Sequence, residues 1–275
     1  MKKVMALLLA VCMLLACTAC GSKEPDRLQQ IKDKGVLELA TEPYFAPYEF
    51  IDPSKEGDEK FVGMDMEIAK AVAAKIGVEL KIVPLDFTAV LAGVVSGKYD
   101  MAISAIAYSP GRAETMTLSD GYLITEANEY GFLTRAEDVD KYTSIESLAD
   151  AIIVTQSGSV QEGIYQEQVK KCKEFKRVDN MTDGYLAVAE KRADVCIVSK
   201  ASAKLYAEAN GGLAIPEFRF ITDPELDRVV AAMPKEGCDS LAKLVNEVIA
   251  ELNAEGKIKD WFASYGEYAS TLGIQ

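Results

Sequence analysis

The chain of 275 residues carries 43 acidic and 30 basic side chains, a net charge of −13, and such a surface argues against a nucleic-acid partner because it repels phosphates. It contains no histidine, which excludes Ser-His-Asp and Cys-His catalysis and most transition-metal sites. Cys172, Cys196 and Cys238 lie far apart without a CxxC pair, so we expect no metal site, no cofactor and no disulfide scaffold, although a single disulfide stays open.

The N-terminus has the pattern of a secretory signal. Lys2 and Lys3 precede an apolar run over residues 4–19, a length typical of a signal peptide rather than of a membrane-spanning helix. We therefore predict a signal peptide over residues 1–19, followed by a tether over residues 20–35.

A cysteine stands at the end of this signal. The sequence Ala19-Cys20-Gly21 resembles the bacterial lipoprotein signal, in which small residues precede a cysteine that is lipidated and becomes the new N-terminus. The resemblance makes Cys20 the lipidation site and implies an extracytoplasmic protein that is lipid-anchored to the cell membrane. Cys17 is an alternative site, and an ordinary cleaved signal peptide is the alternative to an anchor.

Beyond the leader, helical and strand patterns alternate, which predicts an α/β protein with mainly parallel sheets. The clearest helix places Ile68, Val72 and Ile76 on one face directly before Gly77, a natural C-terminal stop. The predicted strands cover residues 36–40, 78–83, 101–106, 152–155, 195–198 and 229–233. The predicted helices cover residues 65–76, 89–96, 160–171, 185–190 and 240–253, followed by a helix around Trp261.

Several short motifs follow one another in a characteristic order, although each alone is unspecific. They are Ala46 to Phe50, Phe61 to Ala69, Ser96 to Met101, Ser109 to Glu114, Leu118 to Tyr122, Gln156 to Glu162, Arg192 to Val195 and Leu252 to Lys257. In this order and spacing the chain resembles, over nearly all of its mature length, the bacterial extracellular solute-binding proteins of family 3, the amino-acid-binding group.

The resemblance implies an α/β, two-lobed periplasmic-binding-protein-like fold (type II), whose two crossover strands form a hinge. It places lobe 1 at residues 36–128 and 229–275 and lobe 2 at residues 129–228, with the crossovers near 130–133 and 229–232. It also implies the substrate-binding component of an ABC importer, a monomer and not an enzyme. Such a protein captures an amino acid or a closely related amine-bearing carboxylate between its lobes and delivers it to ABC permease subunits in the membrane.

Two features are candidates for binding the carboxylate of such a ligand. Arg112 follows the turn at residues 109–111, and its guanidinium can hold two carboxylate oxygens, as the matching arginine does in the family. Gly158, Ser159 and Val160 begin a predicted helix, whose free N–H groups and dipole favour an anion, and the family binds carboxylate there. An exposed surface arginine and a simple N-cap serine are the alternative interpretations.

Three further positions match ligand-contacting positions of the family. Phe45 and Phe87 correspond to aromatic walls over the ligand, with core packing as the alternative, and Phe87 falls in a predicted loop. Ser104 corresponds to a residue whose backbone and hydroxyl contact the ligand. Ala107 is a departure, because the family usually has serine or threonine at its place.

The expected partner of the ligand ammonium also departs from the family. Similar proteins usually carry an aspartate after the strand at residues 195–198, whereas this chain has Ser199, which stays a candidate ligand contact. A buried ammonium without a charged partner costs several kcal/mol. Either Glu42 supplies the missing negative charge or the ligand lacks a standard α-ammonium, and a solvated loop position is the alternative interpretation of Glu42.

Two other functions stay open on the same fold. Some bacterial dehydratases that act on cyclic carboxylates resemble this family, and such an enzyme would need Glu42, Glu49 or a tyrosine as its acid. An anchored ligand-sensing co-receptor for a separate sensor protein is the other alternative.

Overall fold

The computed structural model describes residues 25–124, 129–224 and 228–274. The predicted signal peptide and both candidate lipidation cysteines lie outside these residues. Within the described part of the chain, no helix is long and apolar enough to cross a membrane.

The first lobe is built on a five-stranded sheet of β1 (Val36–Thr41), β5 (Glu79–Pro84), β6 (Met101–Ala102), β7 (Met116–Leu118) and β15 (Ala232–Pro234), in the order β5–β1–β6–β15–β7. A small antiparallel sheet adds β2 (Tyr44–Phe45), β3 (Glu49–Ile51) and β4 (Phe61–Val62). Its helices are α1 (Arg27–Lys34), α2 (Met64–Ile76), α3 (Phe87–Val95), α4 (Pro110–Thr115), α8 (Asp239–Ala254) and α9 (Lys257–Leu272). Strand β1 runs parallel to β5 and β6, whereas β15 runs antiparallel to β6 and β7.

The second lobe repeats this scheme with a sheet of β9 (Tyr130–Arg135), β10 (Ile152–Gln156), β11 (Glu174–Val178), β12 (Val195–Ser199) and β13 (Leu213–Ala214). The order of its strands is β11–β10–β12–β9–β13. Its helices are α5 (Val160–Gln168), α6 (Met181–Ala189) and α7 (Lys200–Asn210). The predicted two-lobed α/β fold is thereby confirmed, with parallel pairs on one side of each sheet and antiparallel pairs on the other.

Helix α1 is absent from the sequence-based prediction, which gave a tether over residues 20–35. The Asp26 side chain caps this helix by accepting a hydrogen bond from the Gln29 amide at 3.0 Å. Ile31 is completely buried in the core of the first lobe, so residues 27–34 form part of the folded lobe and the tether prediction is wrong for them.

The connection between the lobes differs in detail from the predicted crossovers. Strands β8 (Leu123–Ile124) and β14 (Arg228–Val229) pair antiparallel as a separate two-stranded ladder. Strand β9 lies wholly in the second sheet, where it pairs antiparallel with β12 and β13. The predicted strand at residues 229–233 is divided, because β14 ends at Val229 and β15 begins only at Ala232.

The sheets direct the carboxyl ends of their central parallel strands toward the space between the lobes, where ligands of open α/β sheets bind. Strand β6 is shorter than the predicted strand at residues 101–106, because Ala105 has a φ of 45°, a left-handed conformation that ends the extended backbone. Phe45 packs against core residues of both lobes, which places β2 at the contact between them.

Candidate ligand-binding cleft

A cleft with about 600 Å³ of empty volume, part of it open to solvent, lies between the two lobes. Its walls come from the ends of β1, β6, β10 and β12 and from the first residues of α3, α5 and α6. The lining residues are Glu42, Phe45, Tyr48, Glu49, Phe87, Ser104, Ala105, Ala107, Arg112, Tyr130, Gln156, Ser159, Val160, Gln161, Met181, Ser199, Ser202 and Val229.

Arg112 reaches across this cleft from the short helix α4. One guanidinium nitrogen, Nη1, donates to the Ala107 carbonyl at 2.6 Å, and Nη2 donates to the Gly158 carbonyl of the other lobe at 3.0 Å. The guanidinium also lies over the Phe87 ring, 5.5 Å from its centroid. Burial lowers the pKa of Arg112 to about 10, so the side chain keeps its positive charge at neutral pH.

The first turn of α5 faces Arg112 from the second lobe. The Ser159 hydroxyl caps the helix by accepting from the Glu162 amide at 3.1 Å, while Glu162 accepts from the Gly158 amide at 2.7 Å. This cap leaves the N–H groups of Val160 and Gln161, the first two helical positions, without an intrahelical acceptor. Ser159 and Val160 line the cleft, whereas Gly158 contributes its carbonyl to the bond with Arg112.

Aromatic rings form one side of the cleft. Phe45 stacks on Tyr48 with their centroids 5.5 Å apart, and Tyr48 packs edge-on against Phe262 of α9. Phe87 is the first residue of α3 rather than a loop residue, because Asp86 caps that helix by accepting from the Ala89 amide at 2.8 Å. Phe87 is buried and lines the cleft, so it serves as both core and wall.

Glu42 brings an acidic group into the cleft from the end of β1. Its side chain is buried, and its Oε1 atom has no hydrogen-bond partner. Burial raises the pKa of Glu42 to about 8, with repulsion from Asp86 and Asp183 adding to the effect and a hydrogen bond from Gln156 opposing it. A cation that entered the cleft beside Glu42 would find a carboxyl group with an unused oxygen.

Ser104 links this acidic residue to the floor of the cleft. Its hydroxyl accepts from the Glu42 amide at 2.9 Å and donates to the Glu49 carboxyl at 3.2 Å. The hydroxyl therefore holds the backbone at the end of β1 in place as well as lining the cleft.

The two departures from the family pattern also face the cleft. Ser199 and Ala107 both line it, and Ser199 stands at the N-cap of α7 without a side-chain capping bond. The acidic residues of the lining, Glu42 and Glu49, both belong to the first lobe. The second lobe therefore presents a hydroxyl, and not a carboxylate, to the cleft where α7 begins.

Sequence reasoning missed several lining residues of the second lobe. Gln156 is the last residue of β10, and its position at the carboxyl end of a parallel strand would have been a usable signal. Tyr130, Met181 and Ser202 have no such local signal, because their approach to the cleft depends on how the second lobe is set against the first. Within the described ranges, no group of acidic or cysteine side chains is arranged to hold a metal ion.

Comparison with known proteins gives consistent similarities. A profile of the bacterial extracellular solute-binding proteins, family 3, matches residues 37–268. The arginine-binding extracellular protein ArtP of Bacillus subtilis is 27% identical over 270 residues, which cover 95% of this chain and 98% of ArtP. An L-arginine-bound structure of an amino acid ABC transporter substrate-binding protein from Streptococcus pneumoniae is 31% identical with a TM-score of 0.78, covering 88% of this chain and 98% of that one. An enzyme, the cyclohexadienyl dehydratase of Pseudomonas aeruginosa, is 23% identical over 70% of each chain.

Proposed function

The chain belongs to the bacterial extracellular solute-binding proteins, family 3, and from that premise we propose that it is the substrate-binding component of an ABC importer. It captures an amino acid, or a closely related amine-bearing carboxylate, between its lobes and delivers it to the permease. The observation that carries the proposal is the meeting of Arg112 with the first turn of α5, because a cationic fork and a helix N-terminus from opposite lobes converge on one point.

Ligand capture follows from this convergence. The carboxylate of the ligand takes the place that the Ala107 and Gly158 carbonyls occupy around the guanidinium, and the N–H groups of Val160 and Gln161 donate to it from the other lobe. Since these donors sit on different lobes, a bound carboxylate stabilises the closed arrangement by its preference for that state. The permease partner then recognises the closed form.

The cationic part of the ligand pairs with Glu42. That carboxyl lies in the same cleft with an unpartnered oxygen, and the second lobe offers Ser199 where relatives have an acidic residue. L-Arginine is the first compound to test, because two of the similar proteins carry arginine in their description and its guanidinium provides a second positive charge.

A panel of ligands tests the capture function directly. We expect isothermal titration of the purified protein against the twenty amino acids, cystine and carboxylic acids without an amine to show binding of at least one amine-bearing compound. Binding of none of them, in protein freed of carried-over ligand by mild denaturation and refolding, would refute the proposal. Mass spectrometry of the released material identifies any native ligand.

The location of the protein is part of the same proposal. Cys20 carries a lipid and holds the monomer at the outer face of the cell membrane, beside the permease. Cys20→Ser should move the protein from the membrane fraction to the medium or periplasm, whereas Cys17→Ser should leave it membrane-bound. The reverse pattern would assign the anchor to Cys17, and no change in either variant would contradict an anchor.

A dehydratase activity is the second candidate, favoured by one observation. Glu42 is a buried carboxyl whose pKa of about 8 keeps it largely protonated at neutral pH, as a general acid requires. Incubation with a cyclohexadienyl substrate, followed by absorbance of the aromatic product, tests it. Turnover that Glu42→Gln abolishes would support the enzyme, and its absence alongside amino-acid binding supports the transporter component. A neighbouring sensor-kinase gene, in place of permease and ATPase genes, would favour a co-receptor.

A further inference from the structure

A buried polar cluster lies at and beneath the floor of the cleft, which Glu49 lines, and the proposed ligand contacts do not include its two carboxyl groups. Glu49 and Asp65 are both almost completely buried. The Tyr122 hydroxyl donates to the Asp65 carboxylate at 2.9 and 3.0 Å, and the Ala105 amide donates to Asp65 Oδ2 at 2.8 Å. The Ser104 hydroxyl donates to Glu49 Oε1 at 3.2 Å.

The two carboxyl groups lie within hydrogen-bonding reach of each other, and among the described residues neither has a basic side chain as its partner. The titratable groups that face them are Glu42, Tyr48 and Tyr122, and none of these is a cation. Arg112, the basic residue of the lining, is engaged by backbone carbonyls. Two adjoining carboxylates without a counter-charge cannot both stay ionised in a buried site.

We propose that Glu49 and Asp65 share one proton, and that this pair positions Ser104 and Ala105 at the edge of the ligand cleft. The proton belongs on Glu49, because Asp65 already accepts from two donors and is the better stabilised anion. Glu49 Oε2 has no donor, which suits a protonated oxygen that donates to Asp65. Burial, and then repulsion from Asp65, raise the pKa of Glu49 well above its ordinary value, in agreement with this assignment.

The pair reaches the cleft through two short connections. Ala105 is held in a left-handed conformation, with φ of 45°, by the bond from its amide to Asp65. The Ser104 hydroxyl donates its hydrogen to Glu49, so its oxygen is left to accept a hydrogen bond from the Glu42 amide. Glu49 and Asp65 are therefore positioning residues, and the role of the site they support rests on the proposed function. The shared proton itself is a property of the protein without ligand.

Glu49→Gln tests the pair because a carboxamide reproduces a protonated acid, with an N–H₂ for Asp65 and a carbonyl for Ser104. When a carboxyl is protonated in the folded state and ionised in the unfolded state, the folded protein loses stability as pH rises above the ordinary pKa of that carboxyl. We expect the unfolding equilibrium constant of the wild-type protein to increase relative to Glu49→Gln by up to about tenfold per pH unit over that range. Glu79→Gln is the matched control, because Glu79 is exposed on β5 and its substitution should leave the wild-type slope unchanged.

Amide hydrogen exchange at Glu42, whose amide donates to the Ser104 hydroxyl, reports the positioning role without any ligand. Glu49→Ala should speed exchange there by roughly tenfold through loss of the Ser104 acceptor, and Glu49→Gln should restore the wild-type rates. Carbon-13 NMR of glutamate-labelled wild-type protein gives a measurement that needs no variant. The Glu49 carboxyl should keep the chemical shift of a protonated acid at neutral pH.

Parallel pH profiles for wild-type protein and Glu49→Gln, or an ionised Glu49 signal at neutral pH, would overturn the shared proton. Unchanged exchange in Glu49→Ala would overturn the positioning role. All three measurements use the ligand-free protein, so a failed amino-acid screen would refute the proposed function and leave this pair standing. Amino-acid binding together with an ionised Glu49 would refute the shared proton and leave amino-acid capture standing.

Discussion

Arg112 Nη2 donates to the Gly158 carbonyl at 3.0 Å, which joins the first lobe to the start of α5 in the second lobe. A guanidinium that is held by neutral carbonyls can exchange them for a carboxylate, because charged acceptors form stronger hydrogen bonds than neutral ones. The same bond also shows that the lobes lie close together in this structure.

Arg112→Ala should abolish ligand-induced thermal stabilisation, and it should also lower the stability of the free protein. The guanidinium is charged, so each of its two hydrogen bonds to carbonyls contributes about 1.5–3 kcal/mol, and this loss is the same with and without ligand. In contrast, a ligand at about a hundred times its Kd adds about 2.7 kcal/mol to the free energy of unfolding, and loss of carboxylate binding removes this added stability. Thermal unfolding with and without L-arginine measures both effects.

Arg192→Ala is the matched control for this experiment. Arg192 is exposed and pairs with Glu190 on the surface of the second lobe, so its loss should change neither ligand-induced stabilisation nor basal stability. Full stabilisation of Arg112→Ala by the ligand would contradict the assignment of the carboxylate to Arg112.

Gly158→Ala should weaken ligand binding and destabilise the protein by about 1–2 kcal/mol. Gly158 has a φ of 73°, a left-handed conformation, and the added Cβ would meet only Leu91 and Thr88 side-chain atoms at 3.8 Å. The cost is therefore backbone strain rather than a clash, and it falls on the segment that presents the α5 amides. Chemical denaturation and calorimetric titration measure the two effects.

The same helix provides the control. Gly163 lies within α5, has an ordinary helical φ and has open space around its Cβ position. Gly163→Ala should stabilise the protein by about 0.5–1 kcal/mol and leave ligand binding unchanged. Equal effects of the two substitutions would show that the conformation of Gly158 has no special role.

Regular elements of this fold follow from local sequence pattern, whereas irregular ones depend on distant contacts. The helix predicted at residues 65–76 is observed as Met64–Ile76, because its apolar spacing and Gly77 act locally. Helix α1 was missed because its stability comes from burial of Ile31 against the first lobe. Strand β6 was predicted too long because the turn at Ala105 is held by Asp65, forty residues earlier in the chain.

The cleft shows the same division. Arg112 could be found because it stands in one of the ordered motifs, and Glu42 and Ser104 because they match family positions near the ligand. The structure brings all three into one cleft. Met181 could not be found, since it lines the cleft only through the way the second lobe faces the first. The departure at Ser199 was visible in the sequence, but the burial of Glu42 in the same cleft depends on the packing around β1.

Binding of a cationic ligand beside Glu42 should depend on pH. Burial raises the pKa of Glu42 to about 8, so the free protein holds a proton there below that pH. A ligand cation favours the ionised carboxylate and displaces this proton. Affinity for L-arginine should therefore rise with pH by up to about tenfold per unit toward pH 8 and level off above it.

Calorimetric titration in buffers of different ionisation enthalpy measures this proton release. Close to one proton should leave the protein per ligand bound well below pH 8, and Glu42→Gln should release none. The same proton also contributes to the stability of the free protein, which should fall as pH rises from the ordinary glutamate range toward 8. If the affinity of the wild-type protein for L-arginine did not change with pH, the proposed contact of Glu42 with the ligand ammonium or guanidinium would be wrong.

Ser199→Asp should strengthen binding of amine-bearing ligands, by about tenfold if the new carboxylate reaches the cation. Ser199 lines the cleft, stands at the N-cap of α7 and has no capping bond of its own, so an aspartate there would complete both the cap and the acidic site. Ser199→Asn is the control, because it offers a similar shape and cap without the charge. Calorimetric titration compares the two, and equal affinities would mean that the ligand cation lies out of reach of position 199 and depends on the first lobe alone.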